Sequence, residues 1–203
     1  MLVAHRGGSL LAPENTMVAF GSATNDWWAD MLEMDVRLTR DGHVVVIHDD
    51  SVDRTTNGSG KVSEMTLEEI RDLDAGYRFR DLVGGCPFQG MGVIVPTLDE
   101  VLETFKDIWI NIEAKEPQVA GPLYEAVLSH SVQDRVLIAA EFEANRSGAG
   151  NHKGPWGAST IQGALFWTFH WLPGGSPYVP EADILQVSEF WKGLRVLTPR
   201  FVR

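Results

Sequence analysis

One cysteine, Cys86, is all that the 203 residues contain. An intramolecular disulfide is impossible, a Cys-rich zinc site is excluded, and the thiol is expected to be buried or incidental. Basic residues are short too: 17 Lys and Arg stand against 28 Asp and Glu, a formal net charge of −11. A nucleic-acid surface needs clustered Lys and Arg, so that class of partner is set aside. Long apolar runs are missing; each is broken by Gly, Pro or charge, and none would make a bilayer-spanning helix. The start, MLVAHRGG, has no basic region leading into a long apolar one, so no signal peptide is read there and the cytoplasm is the expected location. There is no repeat and no low-complexity tract, and nothing fixes an oligomeric state.

What is present suits one globular domain over residues 1–203, since 44% of the residues are hydrophobic. Short β-like runs fall at residues 2–4, 31–39, 44–48, 109–115 and 136–142. Helical spacing marks residues 16–23, 97–105 and 119–130 between them. Thr66 with Glu69, and Thr97 with Glu100, fit the Thr-x-x-Glu capping box, and Asn15, after Pro13, is expected to cap the first helix. Strands alternating with helices predict parallel βα units, closed as a barrel or spread as a doubly wound sheet. Residues 50–96, rich in Gly, Asp and Arg, break the rhythm and read as an insertion after the third strand. Residues 145–160 read as an irregular loop.

The reactive side chains fall late in those strands. His5 ends the first and His48 the third, Glu33 and Asp35 lie late in the second, and Glu113 and Lys115 late in the fourth. In parallel βα folds the site forms beyond the C-terminal strand ends, so four separate strands deliver ionisable groups to one place. Alternation puts Glu33 and Asp35 on one face of their strand, and Asn111, Glu113 and Lys115 on one face of theirs. A lone E-x-D is more often a solvated face, and HD or N-x-E-x-K alone is equally weak. The ordered series is what carries the argument. Three carboxylates directed into one small site repel each other and need a cation, and an all-oxygen set suits Mg²⁺ or Ca²⁺ rather than zinc.

In order, the chain holds HRGG at 5–8, PENT at 13–16, EMD at 33–35, IHDDSVDRTTNGSG at 47–60, PTLDEVL at 96–102 and NIEAK at 111–115. Together these resemble the glycerophosphodiester phosphodiesterase family, closely over roughly residues 2–130. The resemblance implies an α/β fold, a TIM-type (β/α)8 barrel with residues 50–96 as the insertion after strand 3. It matches His5 and His48 to an acid/base pair, and Glu33, Asp35 and Glu113 to the ligands of one divalent cation. Arg6 and Lys115 match phosphate-contacting cations, and Asn15 falls near the site or only caps the helix. The implied reaction is hydrolysis of small glycerophosphodiesters to glycerol 3-phosphate and an alcohol.

Relatives add a helix, a Trp-bearing strand and an Asp-containing strand beyond the position of Arg203, so the last βα units are expected to be missing here. The segment ILQVSEFWKGLRVLTPRFVR resembles the approach to them, while AAEF at 139–142 departs from the small hydroxyl residues frequent in relatives. Two alternatives follow: a lysophospholipid-directed, phospholipase D-like phosphodiesterase, or a non-catalytic metal- or phosphate-binding remnant. The tryptophans, including Trp167, Trp171 and Trp191, are read as core or lipid-facing packing rather than as a choline cage. Residues 166–172 (FWTFHWL) could give peripheral contact with a lipid surface, with barrel filling the preferred reading. His130, His152 and His170 are read as bystanders.

Overall fold

The computed structural model describes residues 1–172 and 176–201. Elements follow in chain order as β1 (Val3–Ala4), α1 (Met17–Asn25), β2 (Met31–Leu38), β3 (Val44–Val46), α2 (Leu67–Arg71), α3 (Leu98–Thr104), β4 (Trp109–Ala114), α4 (Ala120–Ser129) and β5 (Val136–Ala139). After these come α5 (Glu143–Arg146), α6 (Thr160–Phe169), β6 (Phe190–Trp191) and β7 (Leu194–Arg195). Strands β1, β2, β4 and β5 lie side by side and parallel, in that order. Helices α1, α3 and α4 bury their apolar faces against the sheet. Phe20, Leu102 and Leu123 meet Leu32, Met34, Ile110 and Ile112 in one continuous core. Helices α2 and α3 start where local chemistry dictates, at the full capping boxes of Thr66 with Glu69 and Thr97 with Glu100.

The third strand departs from the expected parallel unit. β3 pairs antiparallel with β2, Val36 opposite Val46 and Leu38 opposite Val44. Its link to β2 is only the turn at residues 39–43, closed by the Thr39 N–H on the His43 carbonyl at 2.9 Å. A parallel return needs a crossover of a dozen residues or more, so this link permits only a hairpin. Val36 pairs with both Val46 and Ala114, and Leu32 with both Ala4 and Ile110. β1 and β3 therefore share one edge of β2, with β4 on the other. The chain end of β3 descends toward the chain end of β1, and that geometry brings His48 back to His5.

Residues 50–96 build a small core of their own, Val52, Val62, Ile70, Ala75, Val93 and Val95 packing on Val45 and Ile47. Cys86 in this segment is exposed. Beyond β5 the strand stops at Ala139, short of the expected Phe142. The region expected to be a loop at 145–160 supplies a turn of helix and then a parallel bridge from Trp156 to Ile138, with Gly157 bridging Ile184 in turn. Parallel pairing thus continues past β5 as single bridges, and among the described residues the sheet is not closed.

Trp27, Trp28, Trp109, Trp171 and Trp191 are exposed, and within α6 only Gln162 is buried. Within the 166–172 run His170 is buried, Phe166, Trp167 and Phe169 are half-buried, and Trp171 and Leu172 are exposed. His130 pairs with Asp99 at 2.9 Å and His152 bonds the Val136 carbonyl, away from the ionisable cluster. Residues 202–203 of the C-terminal segment lie outside the described residues.

Candidate metal centre and histidine pair

Glu33 and Asp35 point to one face of β2, while Leu32, Met34 and Val36 point into the core behind it. On β4 the partners in register are Asn111 beside Glu33 and Glu113 beside Asp35. The two strands thus stack three carboxylates, and Glu33, Asp35 and Glu113 each offer an oxygen within 4.8 Å of the others. Glu33 and Asp35 are 5% and 1% exposed, so water does little to screen them from each other. Burial, then repulsion from Asp35, pushes the Glu33 pKa up to about 8. Charge so crowded favours a cation, and the donor set, entirely oxygen, fits a hard divalent ion.

Two basic side chains hold the cluster together. Lys115, just past β4, places Nζ 2.9 Å from Glu113 and 3.6 Å from Asp35. Arg6 places Nε 3.1 Å from Asp35, and its backbone N–H donates to Glu33 at 2.8 Å. Arg6 sits in a tight turn, His5–Gly7, that follows β1, with its own φ at +52°. Gly7 next to it has φ +75°, and a Cβ there would lie 2.8 Å from that of Ala19. Only glycine lets this loop lie so close to α1.

Of the two readings of Asn15, near the site or only a helix cap, the structure shows the first. Asn15 does not cap α1; the Thr16 side chain does, accepting from the Ala19 N–H at 3.3 Å. With φ at +58° the Asn15 side chain turns to the carboxylates instead. Its Nδ2 donates to Asp35 Oδ2 at 3.0 Å, and its Oδ1 accepts from the Asp35 backbone N–H at 3.3 Å.

His5 lies 4.0 Å from Glu33. Partial burial, then the Arg6 charge, holds its pKa below the usual value against the pull of Asp35 and Glu14. His48 Nδ1 bonds Asp49 Oδ1 at 2.6 Å. Its backbone carbonyl accepts from Arg37 Nε at 2.8 Å, and Arg37 is itself held by Glu116 at 3.1 Å. All eight residues singled out from the sequence therefore gather at one end of the sheet. Glu14, Asp49, Arg54, Arg37 and Glu116 surround them and were not singled out. Glu14, Asp49 and Arg54 lay inside the PENT and IHDDSVDRTTNGSG motifs, which was the available signal.

Beside Glu113 and Lys115 opens a cavity of about 600 Å³, walled by Ala139, Ala140, Ala164, Trp167, Val187 and Trp191 among others.

Three clustered carboxylates with Arg6 and Lys115 at the C-terminal strand ends of a parallel sheet place this site where α/β folds of the TIM type build theirs. The sequence profile of the glycerophosphoryl diester phosphodiesterase family matches residues 5–150, and the chain belongs to that family. A glycerophosphodiester phosphodiesterase of Caldanaerobacter subterraneus subsp. tengcongensis is 44% identical over 147 residues, covering 69% of this chain and 57% of that protein. One from Bacillus subtilis is 39% identical over 140 residues, 68% of this chain and 47% of that protein. The chain thus spans about half the length of these curated relatives. Among solved structures, the Agrobacterium tumefaciens glycerophosphodiester phosphodiesterase superposes with a TM-score of 0.65 at 34% identity, covering 77% of this chain and 65% of that one. An Oleispira antarctica phosphodiesterase in complex with the product sn-glycerol-3-phosphate gives 0.68 at 30%, covering 77% and 64%. The fold is accordingly the TIM-type α/β fold of this family.

Proposed function

We propose that the chain hydrolyses small glycerophosphodiesters to glycerol 3-phosphate and an alcohol, using one divalent cation and the His5–His48 pair. The observation that carries this is the convergence of Glu33, Asp35 and Glu113 with Arg6, Lys115 and both histidines at one end of the sheet. The three carboxylates would hold Mg²⁺ or Ca²⁺, which when bound supplies positive charge to a phosphoryl oxygen. Arg6 and Lys115 would bind the phosphate, and Asn15 would steady Asp35 beneath it. One histidine accepts the proton of the attacking hydroxyl as its oxygen bonds phosphorus; the other gives a proton to the departing alkoxide as the second P–O bond breaks. The attacker would be the substrate's own glycerol hydroxyl, with water opening the cyclic phosphate afterwards. With Asp49 accepting at Nδ1, Nε2 is the working nitrogen of His48. In the same proposal residues 1–203 form one domain, residues 50–96 are its insertion beside the site, and the setting is cytoplasmic.

The apolar cavity beside Glu113 and Lys115 favours a second reading, a lysophospholipid whose apolar part lies against Trp167 and Trp191. The test is release of glycerol 3-phosphate from glycerophosphocholine by purified 1–203 with Mg²⁺, with Ca²⁺ and with chelator, alongside lysophosphatidylcholine. Metal-dependent release from the first substrate supports the main reading. Turnover of the lipid alone favours the second. Metal binding by a folded protein with no turnover of either would leave the non-catalytic remnant.

A further inference from the structure

We propose that Arg54 is a positioning residue for the histidine pair, one guanidinium that holds Asp49 against His48 and Glu14 against Arg6. The inference rests on the two-histidine reading above and adds to it a residue from the segment that follows β3.

The geometry is specific. Arg54 meets Asp49 side-on, Nε at 2.6 Å from Oδ2 and Nη2 at 3.0 Å from Oδ1. It meets Glu14 with its other edge, Nη1 at 2.9 Å from Oε2 and Nη2 at 2.7 Å from Oε1. Each carboxylate then reaches a site residue. Asp49 Oδ1 takes His48 Nδ1 at 2.6 Å, and Glu14 Oε1 takes Arg6 Nη1 at 3.0 Å. Arg6 in turn lies 3.1 Å from Asp35. An unbroken chain of charged contacts thus runs from His48 through Asp49, Arg54, Glu14 and Arg6 to the carboxylate cluster.

Glu14 precedes α1 and Asp49 follows β3, so Arg54 joins the loop that carries His5 and Arg6 to the loop that carries His48. Spacing between these loops sets the distance from a phosphate on Arg6 to the ring of His48, and proton transfer is sensitive to that distance. The fork of a guanidinium can bind two carboxylates at once, whereas an ammonium is a single point of charge. Hydrogen bonding from Arg54 keeps the Asp49 carboxyl well below its usual range, so it remains an acceptor for His48. Burial of Glu14 opposes its ionisation, but Arg54 and Arg6 outweigh it and its pKa is lowered.

Stability does not account for this arrangement. The Arg54 side chain is 46% exposed, and ion pairs of that exposure contribute little to folding. Their effect is on orientation: an imidazole without its carboxylate samples both tautomers and more than one ring rotation.

The test compares wild type, Arg54→Gln, Arg54→Lys and Asp49→Asn for turnover of glycerophosphocholine, melting temperature and the imidazole nitrogen chemical shifts of His48 by NMR. Arg54→Gln is expected to lower kcat roughly 10- to 100-fold, a usual loss for an orienting partner, with KM changed less than about threefold. Its melting temperature should stay near wild type, and its His48 signals should move to mixed tautomers as they do in Asp49→Asn. Arg54→Lys should recover only part of kcat, and it carries the same comparison if Arg54→Gln does not fold. Unchanged kcat and an unchanged His48 tautomer would overturn the proposal. So would a fall in kcat with the tautomer intact, since Arg54 would then act by another route. If wild type turns over no phosphodiester, the functional reading fails, and the NMR comparison alone decides whether Arg54 orients His48.

Discussion

Replacing Glu33 by glutamine should make the metal-free protein more stable at neutral pH, and the size of the effect follows from the site. Burial and then Asp35 raise the Glu33 pKa from the ordinary 4.5 to about 8. Between those values the folded protein holds a proton that the unfolded chain has released. Stability therefore falls as pH rises through that window, the reverse of the usual carboxylate behaviour. Between about pH 5 and pH 7.5 this one group removes about 3 kcal/mol, at roughly 1.4 kcal/mol per unit. Glutamine keeps the shape and can still accept the Arg6 backbone N–H, but it does not titrate. Urea unfolding of chelator-treated wild type and Glu33→Gln at both pH values isolates the difference, because the other titrating groups are common to both. The variant should gain on wild type by about 3 kcal/mol across the interval. A saturating divalent cation should restore wild type by RT ln(1 + [L]/Kd), about 2.7 kcal/mol at a hundredfold excess over Kd, and do much less for the variant. Parallel pH curves for the two proteins would refute the reasoning. So would a wild type indifferent to metal.

Three further outcomes are expected. His48→Ala should lower turnover by 100-fold or more, about the usual contribution of a general acid or base, while circular dichroism and melting stay close to wild type. Gly7→Ala should cost about 2 kcal/mol or more in urea unfolding, because it forces an L side chain into φ +75° with its Cβ 2.8 Å from that of Ala19. Thr97→Ala should cost about 1 kcal/mol in the same assay, since it removes the acceptor for the Glu100 N–H at 3.3 Å and breaks the capping box of α3.

Local rules made the carboxylates legible. Alternation along a strand has a fixed period of two, so Glu33, Asp35, Asn111 and Glu113 could be assigned to faces without knowledge of their neighbours. The capping boxes at Thr66 and Thr97 were legible for the same reason, as each is complete within four residues. Asn15 reads equally as a cap or as a neighbour of the site, because an N-cap preference is shared by several polar residues. The choice between Asn15 and Thr16 was settled by Asp35, twenty positions along the chain. Which tryptophans are exposed was not legible, because residue type sets only a tendency to burial, whereas exposure depends on which surfaces the rest of the chain covers.

The sequence by itself determined the strand faces, the helix starts, the order of the motifs and the kinds of donor that meet at the strand ends. Those properties depend on neighbours within a few residues. The short link at 39–43 already forces β3 to return antiparallel, but tertiary structure alone decided that it does so along the edge of β2 that β1 leaves free, and so that His48 lies at the same end as His5. Tertiary structure also set the bridge from Asp49 through Arg54 to Glu14, the burial that raises the Glu33 pKa, and the cavity beside Lys115. Edge pairing, ion pairing and desolvation each depend on groups far apart in sequence, and only the packed sheet brings those groups within reach.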